Sequence, residues 1–257
     1  MFLGSISRPA ASISKVGTKT EAMLKKAGIT TVAELLCRYP RDWEDRTHYV
    51  PLARFSLAPK VCTTVTVIDQ QWFGFGPTRT LKLIVRDETA RASLICSHRN
   101  YLGKDFVPGS RWFISGKFRY SDKYGEIQSG TFEYEALGGG KGGIRRFGKI
   151  LPVYPLSGKL TQETLRTLVE KALEQFVNRE TIEDEIPGSI AAREGFLSKK
   201  DAIRAIHFPL SMEEKEKARR SLIYTELFYL EIMIGKRALE RKSAAADVRP
   251  SSAAGGA

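Results

Sequence analysis

The sequence is poor in the residues that build metal centres and disulfide frameworks. Its three cysteines form no C-x-x-C pair, and its three histidines are scattered with no H-E-x-x-H motif. These residues are Cys37, Cys62, Cys96, His48, His98 and His207. Such spacing excludes a zinc ribbon, predicts no metal site, and indicates a reducing compartment in which the thiols are small buried side chains.

Long apolar runs are also missing. The most apolar stretch, residues 222–234, is interrupted by Glu226 and Glu231 and is too short to span a bilayer. The first residues lack the basic region and the following apolar stretch of a secretory signal. We therefore expect a cytoplasmic protein with no membrane partner.

Catalytic motifs are equally scarce, and no G-x-S-x-G motif occurs. Residues 143–149 match the glycine and lysine spacing of a phosphate-binding loop. However, Ile150 stands where a hydroxyl must reach Mg²⁺, and the bulky Arg145, Arg146 and Phe147 replace a loop that exposes its backbone. The sequence therefore predicts no catalytic residue, no nucleotide site and no cofactor in this chain.

Positive charge is present in excess. The 41 Lys and Arg residues against 29 Asp and Glu give a formal net charge of +12. A surplus of that size favours a polyanionic partner, either nucleic acid or an anionic membrane surface. A basic surface of the ribosomal type is the alternative. The hydrophobic fraction of 42% is that of a globular protein, and 257 residues suffice for a barrel-sized domain with helical flanks.

Both ends of the chain carry helix signals. Near the N-terminus, Thr18 and Glu21 have capping-box spacing, Thr31 and Glu34 repeat it, and Gly28 supplies a left-handed stop. Near the C-terminus, three helices are predicted, of which the last continues to about Lys242. They begin at Thr161, Ser198 and Ser211. One stripe of the last helix is apolar and spaced to bury against another surface. It consists of Ile223, Leu227, Leu230, Ile234 and Ala238.

Between the helical segments the hydrophobic period changes to two, which predicts strands. Five β-rich stretches occur, with a short helix at 100–106 between the third and the fourth. They are residues 61–69, 80–86, 91–96, 111–120 and 125–135. This order is that of an OB fold. We therefore predict the α+β class, with a five-stranded OB-fold β-barrel flanked by N-terminal and C-terminal helices.

The predicted organisation has five consecutive segments. They are a helical segment (1–54), the OB-fold domain (55–137), a basic extended linker (138–160), a second helical segment (161–242) and a flexible tail (243–257).

The loop between the first two predicted strands, residues 70–79, is rich in aromatic side chains. OB barrels bind nucleic-acid strands across strands 2 and 3, with this loop and the loop between strands 4 and 5 closing over the ligand. Trp72, Phe73 and Phe75 lie in it together with Arg79. Bases stacked on such rings contribute about 1–3 kcal/mol each. Alternatively, Trp72 or Phe73 folds back to plug an end of the barrel or packs on the flanking helices.

The second loop and its strand offer cations, namely Lys117, Arg119 and Lys123, beside the aromatic Tyr124. Residues 98–123 hold six Lys and Arg against two acids. Neutralisation of phosphates by such side chains predicts an affinity that falls steeply with salt. A solvated basic face without a ligand is the alternative.

Seven tracts of the chain, in their order, resemble the RecG family of bacterial ATP-dependent branched-DNA helicases. The tracts are residues 16–19, 27–32, 39–46, 150–156, 165–166, 202–209 and 218–227. The resemblance covers nearly the whole chain up to about Lys242. The most specific parts are the tract that ends in Arg46 and the His207-Phe208-Pro209 tract.

The resemblance implies the family's wedge domain, which splits parental from nascent strands while RecA-like motor domains pump duplex using ATP. It implies a nucleoid-associated role in recombination and repair, with forks, Holliday junctions and single-stranded DNA as ligands. Motor domains of the same polypeptide and a single-stranded-DNA-binding protein are further candidate partners. ATP and magnesium belong to the full-length family, and we expect this chain to be a truncated member without the motors.

The family also places two aromatic residues, four positions apart, after the third strand, where they stack on separated bases. Tyr101 matches the second, but Ser97 stands at the first and cannot stack. Trp72, Phe73 and His98 are candidate substitutes. The predicted DNA-binding residues are Trp72, Phe73, Phe75, Arg79, His98, Arg99, Tyr101, Lys117, Arg119, Lys123 and Tyr124.

Three functions stay open from the sequence. The leading hypothesis is a wedge module that binds branched DNA. A protein-docking module would use the apolar stripe of the last helix, and an RNA-binding OB domain would use the same basic and aromatic residues.

Overall fold

The computed structural model describes residues 6–76, 79–137, 146–179 and 182–247. The chain divides into two compact units. The first combines Met1–Trp43 with Pro152–Ala257, and the second is Glu44–Leu151. Residues 138–145 of the predicted linker and residues 248–257 of the predicted tail lie outside the described ranges.

The first unit is helical. In the described part of the chain its helices are α1 (Thr18–Lys26), α2 (Val32–Leu36), α3 (Gln162–Ala172), α4 (Gly188–Glu194), α5 (Lys199–His207) and α6 (Met212–Asp247). A π-helical turn, Leu173–Val177, continues α3. The sequence missed α4, which begins after Pro187 without a side-chain cap. Helix α6 runs past the predicted end at Lys242, so the predicted tail begins inside it.

The described helices include none that is both long enough and apolar enough to cross a membrane. Helix α6 has the length, but charged residues recur along it.

Helix caps follow the sequence signals in most cases. Thr31 forms the predicted capping box, accepting from the backbone N–H of Glu34 at 3.1 Å while the Glu34 carboxylate accepts from the Thr31 N–H. The box predicted at Thr18 is wrong. Helix α1 begins one residue earlier than that spacing requires, with Gly17 as its N-cap and no side-chain cap. Gly28 has the left-handed φ of 74° that was predicted.

A buried histidine lies in the core of the first unit. His207 is fully buried, with Nδ1 2.9 Å from the Tyr154 hydroxyl and Nε2 2.9 Å from the Leu36 carbonyl oxygen. Burial lowers the pKa of His207 to about 4, although the Leu36 carbonyl opposes this. The ring is therefore neutral near pH 7. Its Nε2–H donates to Leu36, and its Nδ1 accepts from Tyr154.

The strands belong mainly to the second unit. They are β1 (Asp42–Asp45), β2 (Val61–Phe73), β3 (Thr80–Arg86), β4 (Arg91–Cys96), β5 (Arg111–Gly116), β6 (Arg119–Ser121), β7 (Glu126–Ser129), β8 (Phe132–Ala136) and β9 (Ile150–Val153). Strands β1 and β9 form a two-stranded sheet, and the others form one sheet in the order β6-β7-β4-β3-β2-β5-β8.

The α+β class is confirmed, but the predicted count of five barrel strands is wrong. The predicted fourth strand is divided into β5 and β6, and the fifth into β7 and β8. Strand β7 pairs in parallel with β4, whereas β8 pairs antiparallel with β5. The two halves of the predicted fifth strand therefore pair with different strands, β7 with β4 and β8 with β5. The hydrogen-bonded ladder ends at β6 and β8 and does not form a closed ring.

A buried ion cluster lies in the second unit. The Arg46 side chain is 1% exposed and contacts Glu44 and Glu133, each at 2.9 Å. Burial raises the pKa of Glu44, but the hydrogen bonds and charges of Arg46 and Lys60 outweigh it and lower that pKa to about 2. The cluster is therefore ionised, which the burial of Arg46 requires.

Candidate nucleic-acid interface

Strand β2 continues farther than the sequence indicated, so residues 70–73 are paired strand rather than loop. Trp72 lies opposite Leu81 and Phe73 opposite Thr80, after a register shift between Val67 and Asp69. Directly paired residues share a face, and successive residues alternate between faces. Trp72 is therefore on the core side of the sheet with the buried Leu81, and Phe73 is on the outer side.

The indole of Trp72 is enclosed on two sides. The Arg79 guanidinium lies 4.0 Å from the ring centroid. A methyl group at Gly103 would come within 2.8 Å of the indole, so the ring rests against that glycine. The Gln70 amide donates to the carbonyls of Gly103 and Phe106 at 2.9 and 2.7 Å, which holds the same 3₁₀ helix (Asn100–Lys104). Trp72 thus folds back on one end of the sheet, as the alternative interpretation proposed, and is 37% exposed.

The next two aromatic residues are open to solvent. Phe73 is more than half exposed, and Phe75, beyond the end of β2, is 96% exposed. An almost fully exposed phenylalanine is costly in water unless a partner covers it.

The turn after β4 carries the next group of predicted residues. His98 is exposed and has a φ of 57°, a left-handed conformation that is uncommon for a residue other than glycine. Ser97 is also exposed. Arg99 donates to the carbonyls of Phe132 and Gly130 at 3.2 and 3.0 Å, and its guanidinium lies 4.2 Å from the Phe132 ring centroid. Arg99 therefore links this turn to the segment between β7 and β8.

Tyr101 presents its ring to solvent. Its side chain is 57% exposed, while its hydroxyl shares a hydrogen bond with that of Tyr134. Burial and this bond raise the pKa of Tyr134 to about 12. Tyr134 in turn packs edge-on against Phe106 and Trp112, with centroids 5.1 and 5.9 Å away. The hydroxyl of Tyr101 thus neighbours Tyr134, and its ring remains accessible.

The predicted residues of the second loop lie on the β6–β7 hairpin, except Lys117, which lies between β5 and β6. Lys117, Arg119, Lys123 and Tyr124 are all exposed, and the Lys123 ammonium lies 5.1 Å from the Tyr124 ring centroid. Arg119 is opposite Gln128, at the edge of the sheet. Tyr120, which the sequence reasoning did not select, is exposed beside them.

The predicted site divides into two clusters. The aromatic cluster comprises Trp72, Phe73, Phe75, Arg79, His98, Arg99 and Tyr101, and the hairpin cluster comprises Lys117, Arg119, Tyr120, Lys123 and Tyr124. Among the described residues, no hydrogen bond, ion pair or ring contact links the two. Within the aromatic cluster, Gly103 joins the end of β2 to the turn that carries Tyr101.

Sequence reasoning missed the supporting residues Gln70, Gly103 and Tyr134. Tyr134 gives no local signal, because its role depends on a partner 33 positions away in the chain. Gly103 was visible as a glycine inside a predicted short helix, which often marks a close approach of another group.

Comparison with known proteins agrees with this architecture. The family model described as the RecG wedge domain matches residues 10–176. A protein of Treponema pallidum named ATP-dependent DNA helicase RecG is 35% identical over 243 residues, covering 94% of this chain and 34% of that protein. Its namesake from Borreliella burgdorferi is 32% identical, covering 90% of this chain and 33% of that protein.

A solved structure is also similar. The structure described as RecG bound to a three-way DNA junction has a TM-score of 0.77 and 27% sequence identity, covering 92% of this chain and 32% of that one. Fold and sequence thus define a wedge-type domain of mixed α and β structure. The chain belongs to the RecG wedge domain family. It spans about a third of the length of the curated relatives that it matches.

Proposed function

We propose that this chain binds branched DNA, including forks and Holliday junctions, and holds unpaired bases on its aromatic cluster. The observation that carries the proposal is the exposure of the Tyr101, Phe73 and Phe75 rings.

The energetics are compatible with strand separation. Unstacking one step of a duplex costs a few kcal/mol, and each base stacked on an aromatic ring contributes about 1–3 kcal/mol. Tyr101, Phe73 and Phe75 offer three exposed rings. Contacts between phosphates and the cations of the hairpin cluster would supply the remaining affinity, and these contacts weaken as salt rises.

The geometry favours particular rings as the substitute for the aromatic residue that Ser97 replaces. Trp72 has Arg79 over its ring and Gly103 against it, so a base could stack there only if the arginine moved. Phe73 and Phe75 have no such cover among the described residues. We therefore assign the second stacking position to Phe73 or Phe75 rather than to Trp72.

In a longer polypeptide, this module would act beside RecA-like motor domains in recombination and repair. ATP and magnesium would then bind to those motors, and the proposal assigns no nucleotide site to this chain. A single-stranded-DNA-binding protein remains a proposed partner.

The test is a fluorescence titration of forked and linear duplexes of equal length at two salt concentrations. We expect tighter binding of the fork at each concentration. Equal affinity for the two ligands at both concentrations would reject the wedge function. RNA of the same sequence, added as a competitor, should displace the fork poorly; equal displacement would favour an RNA-binding function.

A docking function is a second candidate, and helix α6 supports it. Four residues of the predicted apolar stripe, Ile223, Leu227, Leu230 and Ile234, are 46–56% exposed, and the fifth, Ala238, is also exposed. If docking is the main function, the chain should fail to bind DNA and should elute with a separately supplied motor segment in size-exclusion chromatography.

A further inference from the structure

One register row of the sheet carries three arginines. Arg91 on β4 lies opposite Arg86 on β3, Arg86 lies opposite Thr66 on β2, and Thr66 lies opposite Arg111 on β5. Directly paired residues share a face, so this arginine row crosses four strands on one side of the sheet. Adjacent strands are about 4.8 Å apart, so the row is about 14 Å long.

Nearby acids do not neutralise the row. All three arginines are exposed, and within the described ranges none of them forms an ion pair. Asp87 is nearby, but its carboxylate accepts from the backbone N–H groups of Leu52, Thr89 and Ala90. These bonds lower the pKa of Asp87 against the opposing effect of burial.

One exposed acid does share the surroundings of the row. Glu88 lines a shallow cavity of about 370 Å³ together with Asp87, Arg86, Arg111 and Thr66. On the same side, Glu126 contacts Lys82 at 2.6 Å and the Ser93 hydroxyl at 2.8 Å. The exposed Asp69, opposite Ile84, accepts from the backbone N–H of Gln70 at 2.8 Å and from the Gln71 amide at 3.3 Å. Several carboxylates therefore share this face with the three arginines, and within the described residues Glu88 is one that forms no hydrogen bond or ion pair.

The pairing of Arg86 with Arg91 is unfavourable for an isolated sheet. Like charges directly opposite each other destabilise a strand pair, and a bound anion between them removes the repulsion. Each guanidinium also presents donors in a planar fork that matches the oxygens of a phosphate. The row is thus chemically suited to phosphodiester groups.

The row shares its face with Phe73 of the aromatic cluster. Phe73 lies opposite Thr80, and residues 80, 82, 84 and 86 of β3 alternate onto the same side. Thr80 and Arg86 are six positions apart on β3. At about 3.3 Å per residue, this corresponds to a distance of about 20 Å. A nucleic-acid chain held at Phe73 could therefore continue along β3 and reach the arginines.

We infer that Arg86, Arg91 and Arg111 form a binding site for the phosphate backbone of the DNA strand that leaves the aromatic cluster. The inference rests on the proposed function, because the same DNA is the ligand. Contacts to phosphates position a nucleic acid without reading its bases, so the site is indifferent to sequence.

The test compares a triple variant, Arg86→Gln, Arg91→Gln and Arg111→Gln, with the wild-type chain on a linear duplex at several salt concentrations. Each phosphate contact contributes about 0.9 to the slope of log K against log salt, so the slope should be shallower by about 2 to 3. The matched control is Lys236→Gln, Arg237→Gln and Arg241→Gln on α6, which removes the same charge from exposed positions. The control should keep the wild-type slope.

Two further variants separate charge from folding. Arginine-to-lysine changes at the same three positions should retain most of the slope, because the contacts are mainly electrostatic. Glu88→Gln should tighten binding, because it removes an exposed carboxylate beside Arg86 and Arg111. An unchanged slope in a folded glutamine triple variant, or displacement of DNA by polyglutamate at equal charge concentration, would overturn the inference.

The two proposals fail in different ways. If the wedge function is wrong, the wild-type chain shows no preference for forks, whereas the salt slope on linear duplex still depends on the arginine row. If the arginine row is wrong, fork preference and its loss in Tyr101→Ala persist while the slope stays constant.

Discussion

Individual residues of the aromatic cluster differ in what surrounds them, and this difference assigns them separate tasks. Trp72 and Arg99 are engaged with Gly103, Arg79, Phe132 and Gly130 and support the local structure. Tyr101, Phe73 and Phe75 present their rings to solvent. The sequence identified Trp72, Arg99, Tyr101, Phe73 and Phe75, but it could not separate support from contact, because most of the supporting partners are distant in the chain.

Removing single rings should reveal this division. Tyr101→Ala and Phe75→Ala should each weaken fork binding by the loss of about one stacked base, about 1–3 kcal/mol, and should spare linear duplex. Ser97→Phe should tighten fork binding, because it supplies the missing ring. Tyr229→Ala, which truncates a partly exposed tyrosine on α6, is the control. Fluorescence titration measures each affinity, and wild-type fork binding by both alanine variants would show that the site is misassigned.

The buried His207 predicts a pH-dependent stability. Its pKa is lowered to about 4 in the folded chain, against about 6.5 when unfolded. Between these values the unfolded state binds the extra proton, so stability falls as the pH drops through this window. From pH 7 to pH 5 the free energy of unfolding should decrease by about 2 kcal/mol. Urea denaturation followed by circular dichroism at the two pH values measures this.

The matched variant for that experiment is His207→Gln, whose amide can still donate to Leu36 and accept from Tyr154 but does not titrate. Its stability should change much less between the two pH values. A wild-type chain equally stable at pH 7 and pH 5 would contradict a neutral buried histidine.

Among the structural elements, the N-termini of α1 and α2 show where the capping-box signal in the sequence succeeds and where it fails. Thr31 and Glu34 form the predicted capping box, whereas Thr18 and Glu21 have the same spacing but no box. The difference arises because α1 begins at Thr18 itself, which places Gly17 in the capping position. The spacing between Thr and Glu alone does not specify which residue is the N-cap.

Thr31→Ala and Thr18→Ala provide a matched pair for this difference. Loss of the Thr31 cap should destabilise the first unit by about 1 kcal/mol, because an N–H of α2 loses its acceptor. Thr18→Ala should be close to neutral, because its side chain caps nothing. Equal effects in thermal denaturation would refute this assignment of the caps.

The junction of β2 with the 3₁₀ helix is the element that positions the aromatic cluster. A methyl group added by Gly103→Ala would meet the Trp72 indole at 2.8 Å, so the ring must move away from residue 103 and its contact with Arg79 must change. We expect changed tryptophan fluorescence and weaker fork binding. Gly130→Ala is the control, since a methyl there would meet no atom within 4 Å. Identical spectra for wild type and Gly103→Ala would show that this junction does not hold Trp72.

For the molecule as a whole, the sequence predicted the α+β class and the strand-rich centre between two helical segments. It could not predict that both helical segments belong to one unit, since long-range contacts such as that between Leu36 and His207 leave no local pattern. The division of the last two predicted strands was also invisible, because their halves continue the same alternation while pairing with different neighbours.

The central claim is that unpaired bases of a fork stack on Tyr101 and its neighbours. The most direct measurement places 2-aminopurine at the first unpaired position of a fork and follows its fluorescence at saturating protein. We predict quenching by the wild-type chain, as the analogue stacks on a ring, and much weaker quenching by Tyr101→Ala at equal saturation. The same quenching with both proteins, or none with either, would contradict the account.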